Sequence, residues 1–517
     1  MIRIFKTSLK LLLGLLVLSA ALFLLGVCWP LATPVANSAP GQLLVTNVSV
    51  VDVRDGQARP GQNILIRNGT IVEVGALVQA IGPVQVVDAT GKYAIPGLFD
   101  MHVHTYKLSP VLIHPLFVAA GVTAVRDMGG CLGIEDAWVA CIEEKREWNR
   151  LVQQNRMVGP RFDQVTGLAI NGGPEVPSGV DPAMGASTPE GARERVRYDK
   201  ERGVDFLKPY SSLSRDAYLA LAEEARIQGL YLAGHKPLSV SGHETTAAGQ
   251  RSIEHAFLFI WECYPGMDEL RKSSNPKSIY THSARETMIR EHDEGMCSEL
   301  FDSMIEAGTA FVPTHSTRKL DAYALDPVYT GDARLKYIPG LLRMMWKGDA
   351  ASMAERTTAE GQSSYMDFYR FGIDLTGQAH AAGVQVLAGT DAPDSYVFPG
   401  SGLHDELDHL VQAGLTPLDA LRAATIEPAK FLKLEGSAGE IAPGARADLV
   451  LLDSNPLASI AAVRDIDSVI LAGAAYDRKD LDQLLEGVEN AAGHWSIWPK
   501  FMWQMLNSPI MRKQFAD

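Results

Sequence analysis

The stretch Ile95-Pro96-Gly97-Leu98-Phe99-Asp100-Met101-His102-Val103-His104 ends an apolar run in two histidines one residue apart. Side chains alternate along a strand, so His102 and His104 share a face and can grip one ion, imidazole being the commonest metal ligand. Two same-facing histidines also suit a solvated surface, so the rest of the chain must decide. Four further short apolar runs end in residues able to serve a metal. They close on Lys208 (Val204-Asp205-Phe206-Leu207-Lys208), His235 (Leu230 to His235), His255 (Arg251 to His255) and Asp391 (Val384 to Asp391).

Segments of helical period separate these runs, such as Arg215 to Gln228 and Asp374 to Ala382. Alternating strands and helices over this length predict a parallel barrel or a doubly wound sheet. In a (β/α)8 barrel the C-terminal strand ends converge on one mouth, where all six residues would meet. Pro209, lacking an N–H, fits the end of a strand. Tyr210, two residues beyond Lys208, would share its direction and could donate to an oxyanion. His315 and His404 fall near the expected seventh and eighth strand ends as candidate substrate contacts, or as hydrogen-bonded structural histidines.

The chain resembles the amidohydrolase superfamily, in the imidazolonepropionase-like and Xaa-Pro dipeptidase-like branch. The phrases that carry this are Pro96 to His104, Gly121 to Asp127, Gly234-His235, Ser252-Ile253-Glu254-His255, Ala388 to Asp391 and Gly439 to Val450, within roughly residues 42 to 478. The resemblance implies an α/β fold in which a TIM-like barrel is inserted in a small composite β-sandwich domain. It implies His102, His104 and Asp391 on one divalent metal, His235 and His255 on a second, and Lys208 bridging them as an N6-carboxylated side chain. Two zinc ions and a metal-bridging hydroxide would then hydrolyse an amide or peptide C–N bond of a small molecule or dipeptide, with Asp391 moving the proton. An ordinary paired Lys208 would instead leave a one-metal cyclic-amide hydrolase or deaminase. A membrane-tethered binding protein without catalysis is the third reading, disfavoured because all six positions are filled.

At 517 residues and 46% apolar, the chain has material for more than one domain. Residues 1–40 carry three bases and no acid, while the chain as a whole has a formal charge of −14, so nucleic acid is not an expected partner. Arg3, Lys6 and Lys10 precede an uncharged stretch from Leu11 to Trp29 that is close to a bilayer span. Positive flanks stay inside, which predicts a signal anchor over 1–29 and an exported catalytic part on the periplasmic or extracellular side. The alternative is a cleaved signal peptide and a soluble periplasmic protein.

A Pro- and Ala-containing linker follows over 30–41, then the first half of the β-domain (42–96), with Asn68-Gly69 as a hairpin signal. The barrel is expected over 97–432 and the second β-domain half over 433–478. Within the barrel, Gly167 to Gly191, Trp261 to Thr309 and Ser316 to Phe368 are too long for simple connections. Cys131 with Cys141 and Cys263 with Cys297 are the simplest disulfide pairs, free buried thiols being the alternative. The tail over 479–517, dense in Trp and Met, reads as a helix packed on the exterior or, alternatively, as an interfacial helix beside the anchor.

Overall fold

A computed structural model describes residues 2–131, 136–172, 185–272, 279–360 and 362–514. It has an α/β architecture, with an additional apolar helix at its N-terminus. One mixed eight-stranded sheet is assembled from both ends of the chain. Strands Gln42–Asp52, Gln57–Arg67, Thr70–Gly75, Gln85–Asp88 and Tyr93–Pro96 join Leu449–Leu452, Ile466–Leu471 and Ala474–Tyr476. The seam is antiparallel and sets Pro96 opposite Leu449. Asn68 (φ 49°) and Gly69 (φ 74°) turn the chain left-handed between two strands, as the Asn-Gly pair predicts. Strand Leu449–Leu452 is buried on both faces because Leu449 and Leu451 enter the core of this sheet while Val450 and Leu452 enter the main core.

The intervening residues alternate parallel strands with helices. Leu98–Val103, Val122–Asp127 and Arg161–Val165 form one parallel sheet, and Ala233–Gly234, Ser252–Glu254 and Ala310–Val312 another. Single parallel bridges at Ile170 with Pro209, Leu207 with Leu232, Phe311 with Val386, and Val103 with Ala392 connect the segments in between. Pairing therefore leads from Leu98–Val103 through the segments in chain order and back to Val103. The expected fourth and eighth strands carry bridges rather than regular ladders. Pro209 offers no donor, and Asp391 turns left-handed at φ 68°.

Capping fixes the helices. Ser214 Oγ accepts from Ala217 N at the start of Arg215–Ile227, whose Ala217, Leu221 and Ala225 are buried, and Ser241 with Glu244 forms a capping box on Gly242–Ala247. The long excursions are largely helical, including Glu294–Ala307, His315–Tyr323, Gly340–Glu360 and Gln362–Ala382. Of the loop expected over Gly167–Gly191, residues 173–184 lie outside the described residues. Cys131 is bonded to Cys141 and Cys263 to Cys297, the pairs of shortest separation. Helix Ile497–Asn507 buries Ile497, Phe501 and Met505, four residues apart on one face. Within the N-terminal helix Ile2–Cys28, Ser8–Cys28 is long and apolar enough to cross a membrane and is almost wholly exposed.

Candidate metal centre

His102 lies in strand Leu98–Val103 and His104 just past it, so the period of two aims both rings the same way. Their Nε2 atoms approach Asp391 Oδ1 at 3.3 and 3.0 Å. Lys208 Nζ lies 3.3 Å from each of the same two nitrogens. His235 and His255 face one another with Nε2 atoms 2.9 Å apart, and His255 Nδ1 is 3.8 Å from Asp391 Oδ2. Ligand atoms of His102, His255 and Asp391 all lie within 4.8 Å of one another. The six residues singled out by their positions at the ends of apolar runs thus meet in one place.

The local backbone pays for this convergence in conformation. His255 (φ 79°), Thr314 (φ 46°) and Asp391 (φ 68°) all adopt the left-handed region that non-glycine residues avoid, and such strain concentrates at functional sites. Gly234 is required beside Lys208, because a Cβ there would stand 2.8 Å from both Lys208 Cγ and the Pro209 carbonyl.

Burial pushes the His235 pKa well down and brings that of His255 to about 3, so both rings are neutral. Ser211 Oγ lies 2.8 Å from His235 Nδ1, and Thr314 Oγ1 lies 2.9 Å from His255 Nδ1. With each Nδ1–H given to a hydroxyl, the two Nε2 lone pairs point at each other, an arrangement a cation between them would satisfy. Burial raises the Asp391 carboxyl pKa, but His102 and His104 outweigh it and hold the group ionised. Burial lowers the Lys208 pKa, favouring the free amine. Burial lowers the His102 pKa, yet Asp391 outweighs it and leaves it raised, the mark of a ring nitrogen and a carboxylate brought together, and imidazoles around a carboxylate are a donor set that fits a divalent metal.

Two supporting acids escaped the sequence reading, Glu254 and Asp100. Glu254 is fully buried and accepts from His102 Nδ1 (3.0 Å), Arg126 Nη2 (2.8 Å) and Ser252 Oγ (2.5 Å). Removal from water raises its pKa, yet Arg126 and His102 more than compensate and bring it to about 2. Asp100 accepts from Thr390 Oγ1 (2.7 Å) and Thr390 N (3.0 Å), tying the strand of His102 to the segment of Asp391. The period of two already placed Asp100 on the face of His102, and an acid inside Ser-Ile-Glu-His was the signal for Glu254.

Tyr210 packs its ring on that of His235, centroids 4.0 Å apart. His315 and His404 direct their hydrogen bonds elsewhere. His315 Nε2 pairs with Thr376 Oγ1 at 3.0 Å, and His404 Nε2–H donates to the Ala120 carbonyl at 2.8 Å. Phe257 stacks on His255, and beside it opens a cavity lined also by Trp261, Tyr280, Arg318, Tyr365 and Tyr369.

A family model described as amidohydrolase family matches residues 116–475. An adenine deaminase of Paracoccus denitrificans (strain Pd 1222) is 22% identical over 83% of this chain, which spans 58% of that relative's length. Among solved structures, a bottromycin amidohydrolase is similar with a TM-score of 0.68 at 22% identity, covering 89% of this chain and 92% of its own. A protein described as a putative prolidase from Bifidobacterium longum reaches a TM-score of 0.60 at 21% identity, covering 87% and 100%.

Proposed function

The chain belongs to the amidohydrolase family and is an enzyme of that metal-dependent kind; from that premise we propose that it hydrolyses amide or peptide C–N bonds, with dipeptides the first substrates to try. The meeting of His102, His104, Lys208, His235, His255 and Asp391 carries this reading. We read the parallel pairing that returns to Val103 as a closed (β/α)8 barrel inserted in the composite sheet domain.

His102, His104 and Asp391 would hold one zinc ion and His235 and His255 a second, with Lys208 between them as a carbamate whose two oxygens replace an amine that otherwise competes for the lone pairs of His102 and His104. Bound there, divalent ions supply Lewis acidity and lower the pKa of water towards about 7. Asp391, held ionised, accepts the proton of the attacking water and passes it to the leaving amine. Tyr210, against His235, donates its phenolic hydrogen to the carbonyl oxygen as charge develops. The aromatic cavity beside Phe257 suits an apolar group of the substrate.

Ser8–Cys28 acts in this reading as a retained anchor that leaves the catalytic part outside the cytoplasm. A mature N-terminus beginning after Val35 would instead identify a cleaved signal. Deamination with one metal is the second functional reading, favoured by the adenine deaminase relatives and by the amine of Lys208 lying against both His102 and His104. The deciding experiment measures metal content and turnover together, against dipeptides, N-acyl amino acids, cyclic amides and adenine. About two ions per chain with dipeptide or N-acyl turnover supports the first reading, and one ion with ammonia release from adenine the second. Activity that survives exhaustive chelation would sink both.

A further inference from the structure

The eight tryptophans divide sharply by exposure. Trp138, at 9%, is the most exposed of the four in the interior, whereas Trp29, at 41%, is the least exposed of the other four. Those four, Trp29, Trp495, Trp498 and Trp503, belong to one region. The Trp29 and Trp495 rings meet edge to face at 5.5 Å, and Lys500 Nζ donates to the Val27 carbonyl at 2.6 Å. The C-terminal helix Ile497–Asn507 is therefore fastened to the end of the membrane-length helix.

That helix divides into two faces. Its buried face sets Phe501 against Tyr106 and Trp138, with ring centroids 5.8 and 5.0 Å apart, and just beyond the helix Ser508 Oγ donates to Asp136 at 3.0 Å. Tyr106 follows His104 by two residues, and Asp136 and Trp138 lie in the loop that leaves strand Val122–Asp127. These loops depart from the strand ends that bear the ligand cluster. The other face, with Trp498, Met502, Trp503 and Leu506, is exposed.

We propose that this exposed face lies in the headgroup layer of the bilayer holding the N-terminal helix, and so seats the rim of the metal site against the membrane surface. The inference rests on the reading of Ser8–Cys28 as an anchor. Lipid is the occupant because the face continues directly from the end of a bilayer-length helix, and because Trp gathers at that depth with its ring in apolar surroundings and its N–H in the polar layer. Substrates would then reach the site from the lipid–water boundary, which favours amides carrying an apolar chain.

The test uses the full chain in phosphatidylcholine vesicles in which part of the lipid is brominated near the headgroup end of its acyl chains. Tryptophan emission of the wild type should be quenched, and the quenched share should fall by about half in W498F/W503F. Trp29 reports on the anchor separately through W29F. A quenched share unchanged in W498F/W503F but abolished in W29F would overturn the docking while leaving the anchor intact. No quenching in the wild type would overturn both. A concentration-dependent dimer in light scattering, with the W498F/W503F share unchanged, would assign the face to a second copy instead.

Discussion

Glu254 decides which nitrogen of His102 is free. By accepting from Nδ1 it fixes the tautomer that leaves Nε2 facing Asp391, and the equally buried Arg126 balances its charge. Glu254→Gln keeps the shape but leaves Arg126 without that counter-charge. It should weaken metal affinity by about 10–100-fold, read by competition with a chelator. Unaltered affinity would show that another contact sets the tautomer. Lys208→Ala should lose one ion of two and most activity, with partial rescue by small carboxylates that replace the bridging oxygens. A variant that keeps both ions and its full rate would return Lys208 to a structural role. The residues that meet at the candidate metal centre were legible in the sequence because they close short apolar runs, and a strand's period supplies direction. Glu254 and Asp100 were less so, since their partners Arg126 and Thr390 come from distant segments and no local pattern pairs them.

Among the elements, the C-terminal helix joins the most distant parts of the chain. Phe501 is fully buried between Tyr106 and Trp138, next to the Cys131–Cys141 loop. Phe501→Ala should destabilise the fold by about 3–5 kcal/mol. Limited proteolysis should show new cleavage between Cys131 and Cys141, and an unchanged digest would mean that the loop stands without the helix. The tail was legible as an aromatic helix but not as a support for the loop after the second parallel strand, because contacts between residues 106 and 501 leave no trace in either segment alone. Likewise Gly340–Glu360 was read as part of a long connection. Its apolar residues, Leu341, Leu342, Trp346 and Ala350 among them, pack on the main core, while Met344 is exposed, so no clean amphipathic stripe marks it as a helix.

For the whole molecule, acid stability depends on histidines buried in neutral form away from the candidate metal centre. Burial brings the pKa of His404 to about 4 and that of His114, whose ring packs on Trp148 and Phe162, to about 3. Below about pH 6.5 the unfolded chain takes up protons that the folded chain refuses, so stability falls as pH drops from there through these values. For His404 alone the loss approaches about 3 kcal/mol by pH 4. Thermal midpoints measured from pH 7 to 4 should decline, and less steeply in His114→Leu; an equal slope in that variant would remove His114 from the account. Deleting residues 1–36 should yield a soluble and active protein, since no proposed ligand lies there, and a soluble but inactive product would show that the anchor contributes to folding. The seam between Pro96 and Leu449 also sets an order in time. A chain made from its N-terminus carries strand Tyr93–Pro96 with an open edge until Leu449–Leu452 has been synthesised, and the helix that clasps the anchor emerges later still. Newly made chains must therefore be shielded from pairing with one another until that strand is made, and a premature stop before Leu449 would leave an aggregation-prone sheet edge rather than a shorter enzyme.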